Sequence, residues 1–212
     1  ETFKVAQQLW AGETVDHDGQ FLARDASLNY EVGEIPVYVG AQGPHMLRMS
    51  AKHADGVLVN ASHPADLSWS ADRIAEGRAE RPDDRSDLDV AAYASVSVAE
   101  DEARAREAAR PPVAFIVGST APPVLDRHDL DHDRAARIGD AVERGNFETA
   151  FEAVTPEMID AFAIAGTKAT VADRIEQAMA HVDSFVVASP LGPDLETAID
   201  LAAEALETAT AK

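Results

Sequence analysis

Residues 35–62 read IPVYVGAQGPHMLRMSAKHADGVLVNAS, and the order of residue types there sets the class of the fold. Ile35, Val37, Tyr38 and Val39 form a short apolar run behind Pro36, bounded by Gly40. A β-branched run of that length, stopped by glycine, reads as a buried strand. Gly40, Ala41, Gln42, Gly43 and Pro44 then read as a turn. Gly43 offers the backbone freedom of a tight bend, and Pro44 suits the first helical position, where its missing N–H would have no partner anyway. Met46, Leu47, Ser50, Ala51 and Ala54 recur at helical spacing, Gly56 reads as the helix stop, and Val57, Leu58 and Val59 make a second strand. Strand, glycine turn, helix, strand is the repeating unit of a parallel α/β sheet.

A strand feeding a glycine turn at a helix N-terminus aims unpaired amides and the positive end of the helix dipole at one spot. That is an anion site, phosphate most often. A short βα connection also calls for glycine on geometry alone. The spacing is not the dinucleotide G-x-G-x-x-G pattern, and no acidic residue follows where a ribose contact would lie. Phosphate cradle and plain turn both remain open at this level.

At 212 residues and 46% hydrophobic content, the chain can bury a sizeable core as a single domain. No apolar run approaches the roughly 20 residues of a membrane span, and the first ten residues lack the basic start and apolar core of a signal peptide. The absence of cysteine excludes disulfides, thiolate metal sites and a cysteine nucleophile. Asp and Glu number 38 against 18 Lys and Arg, a net charge of −20 spread along the chain. Nucleic acid is disfavoured as a partner, because a phosphate backbone needs a basic face. Such a surface repels itself until salt screens it, and near 1 M the Debye length is about 3 Å. The expectation is a protein of a salt-loving cytoplasm.

Elsewhere, Phe3, Ala6, Leu9 and Trp10 share one helical stripe with no cap or initiator Met before it, so the chain is expected to begin inside a fold. A hairpin is expected around Asp18-Gly19. His17, between two aspartates, is either a metal ligand or part of an exposed turn. Ser62 and Pro64 start a helix with Leu67, Ala71, Ile74 and Ala75 inward. Val90, Tyr93, Val96 and Val98 belong to a strand over residues 88–98. Glu100, Asp101 and Glu102 favour the next helix start, and Pro111-Pro112 is expected to break that helix. Residues 113–118 fit strand or buried helix equally. Phe147, Ala150, Phe151 and Val154 have helical spacing, and Thr155 caps a short helix opened by Pro156. Residues 111–166 therefore read as a helical insertion. Thr170 caps a helix carrying Val171, Ile175, Ala178 and Met179. Residues 185–188 are the last strand, 189–194 a loop, and 195–208 a helix through Ile199, Ala202 and Leu206.

Strands and helices alternate, with about four βα units where a closed barrel has eight. Residues 1–212 are expected to be one domain, the C-terminal part of a TIM-type barrel plus the insertion. His128 and His132 lie four apart and invite a metal reading, but no further ligand set accompanies them and no metal is expected. His53 and His181 end helices, where an imidazolium complements the dipole. His63 abuts Pro64 and faces either a pocket or solvent.

The segments IPVYVGAQGPHML, HADGVLVNAS, AYASVSVAEDEARAREAARP and ASPLGPD resemble the luciferase-like (β/α)8 barrels. Within them they are most similar to the branch using the deazaflavin coenzyme F420, the methylenetetrahydromethanopterin reductases. ETFKVAQQLWAGETVDHDGQFL resembles the helix and hairpin after the fourth barrel strand, which implies a missing front half. The resemblance implies hydride transfer between reduced F420 and a pterin-bound one-carbon unit, of methanopterin or folate type. It places Gly40, Ala41, Gln42, Gly43 and Pro44 at the cofactor's phosphate, with His45 as a further donor. It puts Asn60 on the same carboxyl-terminal rim, with Ser62 lining the pocket or capping the next helix. It leaves no catalytic residue to name, since the acid nearest the ring lies by the first strand of the family's barrel. It also implies a cytoplasmic homo-oligomer. Two alternatives remain: an FMN-dependent monooxygenase of the same superfamily, and a non-catalytic half-barrel, either a fragment or an assembly partner.

Overall fold

A computed structural model describes residues 1–33, 35–83, 85 and 87–211. Helix α1 (Thr2–Trp10) leads into an antiparallel hairpin of β1 (Val15–Asp18) and β2 (Leu22–Ala26), turning at the expected Asp18-Gly19. The α/β body follows as β3 (Tyr38–Ala41), α2 (Pro44–His53), β4 (Gly56–Val59), α3 (Pro64–Arg78), β5 (Asp89–Val98) and α4 (Glu102–Ser119). Four further helices succeed α4: α5 (Pro122–Arg127), α6 (His132–Glu143), α7 (Phe147–Ala153) and α8 (Pro156–Phe162). The chain returns through β6 (Ile164–Gly166), α9 (Lys168–Met179), β7 (Ser184–Leu191) and α10 (Leu195–Thr210). All five strands from β3 on are parallel. Their order is β3-β4-β5, with β7 on the far edge of β5 and β6 extending the near edge beyond the end of β4.

Parallel pairing puts Ala41, Val59, Val98 and Leu191 at one end of the sheet, so every strand opens into its loop on the same rim. One face is packed with helices: Val57, Val59, Val90 and Ala92 meet Leu47 and Ala51 of α2 and Leu67 and Ile74 of α3. Ala94, Val96 and Val98 meet α9 and α10. The opposite face is open, with Tyr38 50% and Tyr93 40% exposed. Across that face Asp89 accepts hydrogen bonds from the Tyr38 hydroxyl at 2.9 Å and the Ser184 hydroxyl at 2.6 Å, which tie three strands together. Helices α4 to α8 share a core of their own through Val113, Val117, Ile138, Met158 and Ile159, where Gly118 and Gly139 let α4 and α6 touch backbone to backbone.

Several expectations fail for identifiable reasons. The first strand starts at Tyr38 and runs through Gly40, and it is not buried. The Asp55 carboxylate takes the Val37 amide at 2.8 Å, while the Val37 carbonyl still accepts the Gly56 amide at 3.1 Å. Val37 thus meets β4 through its carbonyl alone, and the paired register opens at Tyr38. Gly56 opens β4 and does not end α2; a Cβ there would sit 2.2 Å from the Tyr38 ring. Pro111 and Pro112 do not break α4. Its second half buries Val113, Ala114 and Val117 almost completely, and that burial outweighs the two withheld hydrogen bonds. Residues 113–118 are thus helix. The inward face of α3 is Asp66, Leu67, Ser70, Ile74 and Gly77, with Ala75 exposed. In α10 an alanine stripe, Ala198, Ala202, Ala205 and Ala209, faces α9, while Ile199 is 52% exposed. Thr167, not Thr170, caps α9, and the three residues of β6 are too few to carry a periodicity.

Candidate functional site

The turn after β3 and the loop after β4 lie side by side on the carboxyl-terminal rim. Ala41 pairs with Val59 as the last register position, and the Gln42 side-chain amide donates to the Asn60 carbonyl at 2.9 Å. Gly40, Ala41, Gln42, Gly43, Pro44, His45 and Asn60 therefore form one locus. All of them except Ala41 are exposed.

The glycines of that turn are not there for its geometry. Gly43 sits at φ −81° and ψ 153°, an extended conformation open to any residue, which corrects the expectation of a special bend. Nor does packing require them, since a Cβ on Gly40 or Gly43 would meet nothing within 4 Å. The plain-turn reading loses both of its reasons. What glycine leaves at these positions is bare backbone beside open space, which a ligand's oxygens can approach closely.

The helix end behind the turn is electrostatically vacant. Gly43 supplies no side-chain cap and the first turn of α2 holds no acidic residue, whereas the first turns of α3, α4, α6, α8 and α10 each carry a carboxylate. Intrahelical bonding begins only at Leu47, whose amide reaches Gly43 at 3.0 Å. The amides of His45 and Met46 are first-turn donors without intrahelical acceptors. The N-termini of α1 and α5 share the lack of a side-chain cap and of a first-turn acid, but of the three only that of α2 directly follows a strand of the parallel sheet. In a chain of net charge −20, such an end can take an anion.

Ser62 and His63 turn away from this locus. Ser62, 4% exposed, donates to the Phe162 carbonyl at 3.1 Å, so it neither caps α3 nor lines the rim. The cap is His63, whose Nδ1 accepts from the Ala65 amide at 3.1 Å. Its ring packs edge-on against His128 at 4.8 Å. Burial pushes the His63 imidazole below the ordinary histidine range, and His128 adds to the shift. Folded His63 thus takes up a proton less readily than the unfolded chain does. Its contribution to stability is complete above about pH 6.5 and is lost as pH falls through the folded value. His53, also lowered by burial, acts with the same sign. His63→Asn keeps a capping acceptor and removes the titration. Unfolding free energy measured from about pH 7 to about pH 5 should fall less steeply than in the parent, by up to about 1.4 kcal/mol per pH unit. An unchanged slope would refute the assignment.

Asp66, Arg127 and His128 form a largely buried polar group that periodicity could not reveal, because Asp66 lies more than sixty positions from the other two. Burial raises the Asp66 carboxyl, but the hydrogen bonds from His128 and Arg127 outweigh it and hold the group below the usual carboxylate range. His128 and His132 are not on one helix face: His128 closes α5 and binds Asp66, while His132 opens α6 and binds Asp126 at 2.8 Å. His17 contacts Glu1 at 3.2 Å. Among the described residues no group of three or more His, Asp or Glu is arranged for a metal.

A hollow of about 1960 Å³ is lined by Lys4, Trp10, Tyr30, Tyr38, His53 and Asp55, at the amino ends of the strands. It contains none of the turn residues and lies on the rim opposite to the one where barrel active sites form.

The model of the luciferase-like monooxygenase family matches residues 1–182. The chain is 42% identical over 207 residues to the 5,10-methylenetetrahydromethanopterin reductase of Archaeoglobus fulgidus, covering 95% of this chain and 62% of that one. It is 42% identical over 206 residues to the enzyme of the same name from Methanopyrus kandleri, covering 95% and 59%. The solved structure of the coenzyme F420 dependent tetrahydromethanopterin reductase from Methanopyrus kandleri superposes with a TM-score of 0.83 at 40% identity, over 94% of this chain and 59% of that one. An F420-dependent secondary alcohol dehydrogenase shares the fold at a TM-score of 0.71 and 22% identity. The chain spans about three fifths of the length of these relatives. No helix among the described residues is long and apolar enough to cross a membrane. The parallel sheet, the helices on one of its faces and the matched family model lead to one assignment: the chain belongs to the luciferase-like monooxygenase family and has its TIM-barrel type of α/β fold.

Proposed function

We propose that this chain holds the phosphate end of coenzyme F420 and belongs to an oxidoreductase of the methylenetetrahydromethanopterin reductase type. The observation that carries the reading is Gly43: neither its backbone angles nor its packing calls for glycine, and a Cβ there would fill the space before the α2 N-terminus. A phosphodiester fits that donor set, being an anion that backbone amides can cradle. Identity of about two in five residues to reductases of that name supports the choice of cofactor.

In this reading the turn residues Gly40, Ala41, Gln42, Gly43 and Pro44 bind and orient, with the amides of His45 and Met46 as donors. The Gln42 amide is committed to Asn60, so Gln42 holds the turn against the neighbouring loop. When bound, reduced F420 supplies the hydride. The protein's part is to keep the acceptor carbon at near-attack separation, about 3–3.5 Å, with water excluded. The acceptor is a pterin-bound one-carbon unit, and the enzyme is a cytoplasmic homo-oligomer.

Titration of F420 into the protein in molar salt, followed by the cofactor's own fluorescence, tests the reading. Saturable quenching or enhancement is expected, with no matching response to FMN. Binding of FMN with oxygen consumption would move the assignment to a monooxygenase. No response to either would leave a non-catalytic half-barrel.

A further inference from the structure

The loop after β4 and the helical insertion are distant in sequence, yet side chains bind them together at one place. Asp66, 7% exposed in the first turn of α3, accepts from the Arg127 guanidinium and from His128 Nε2 at 2.8 Å. The Ser62 hydroxyl reaches the Phe162 carbonyl at 3.1 Å, the His63 ring meets His128 at 4.8 Å, and the Phe162 ring lies 5.9 Å from His128. The Arg127 guanidinium also stacks 4.6 Å over the Trp69 ring of α3. All of these contacts but the Phe162–His128 pair join residues 62–69 to the end of α5 or of α8, and that ring pair ties those two helix ends to each other. Helix α5 has six residues, too few to stand without tertiary support.

We propose that Asp66 is a latch that docks the helical insertion on the rim loop, so that residues 62–67 and α5 open and close as one unit. Both carboxylate oxygens are engaged, each by a different residue of the insertion. Asparagine there keeps one acceptor oxygen where the carboxylate served two donors and sets an N–H against the other. It also removes the charge, and the change is far more disruptive than loss of a surface pair. The pair is also shielded, with the His128 side chain only 7% and the Asp66 side chain 10% exposed, so salt screens it little. At its other end the loop is tied by the Asn60 carbonyl to Gln42, which places the latch between the insertion and the turn after β3. The inference goes beyond the cofactor reading and does not depend on it.

Hydrogen–deuterium exchange of the 212-residue chain near neutral pH is the test. Asp66→Asn should speed exchange of residues 62–67 and of residues 122–130 about tenfold or more, by a common factor, with α10 unchanged. His128→Gln, which leaves Arg127 on Asp66, should give a smaller change of the same sign in both segments. It carries the test by itself if Asp66→Asn does not fold. Protection of both segments in the parent should persist in molar salt. The latch is overturned if either variant loosens one segment without the other, if exchange rises equally in every helix, or if salt alone abolishes the protection.

Discussion

Gly43→Asp should weaken F420 binding about 100-fold while leaving the protein as stable as before or slightly more so. The backbone at Gly43, φ −81° and ψ 153°, is already the extended conformation of a helix cap, and a Cβ there meets nothing within 4 Å. Aspartate is a better cap than glycine by a few tenths of a kcal/mol, and a carboxylate at a helix N-terminus adds about 0.3–1 kcal/mol. The same carboxylate occupies the space the phosphate needs and satisfies the amides that would hold it. Two charge-assisted hydrogen bonds lost, at about 1.5–3 kcal/mol each, correspond to at least the stated factor. Fluorescence titration reads the affinity and thermal unfolding reads the stability. Unaltered affinity would mean the turn is no cradle. A stability loss above about 1 kcal/mol would mean that glycine serves the fold after all.

Gly77→Ala should destabilise the protein by about 2 kcal/mol, against the ordinary preference of helices for alanine. In an unencumbered helix the exchange gains about 1 kcal/mol. Here the added Cβ would sit 2.3 Å from the Arg48 carbonyl oxygen, 2.8 Å from its Cα and 2.9 Å from the Ala51 Cβ. Those obstacles are mostly backbone, so α2 and α3 must separate, and overpacking of that kind costs about 1–3 kcal/mol or more. For a domain of this size the melting temperature should drop by about 4–8 °C. Gly40→Ala is the control, since its Cβ would meet nothing within 4 Å and its stability should hold. A melting temperature for Gly77→Ala equal to or above that of the parent would show that the helices can part without loss.

The two glycines show what a sequence conveys unevenly. Gly43 and Gly77 are the same letter, yet one is dispensable to the fold and the other is wedged between helices. Periodicity found α2 and β4, because a burial pattern is a local property of consecutive residues. It failed at Pro111-Pro112, where long-range burial of Val113 and Val117 overrode the local rule, and at Ile199, where alanines set the helix spacing instead. The turn residues were legible because strand, glycine and helix are contiguous. The Asp66, Arg127 and His128 group was not, because nothing in residues 62–69 refers to residues 122–130 until the insertion folds back upon them.

By itself, the sequence determined the alternation of strands and helices, and with it a parallel sheet whose loops leave on one rim, because right-handed βα crossovers permit little else. It also determined the luciferase-like family and an acid-rich surface. Only the tertiary structure decided that the glycine turn is free of internal duty, that its helix end is left without a counter-charge, and that Asp66 is paired across the fold. The reason is physical: hydrogen-bond periodicity acts between neighbours in the chain, whereas vacancy and charge pairing depend on which distant atoms arrive.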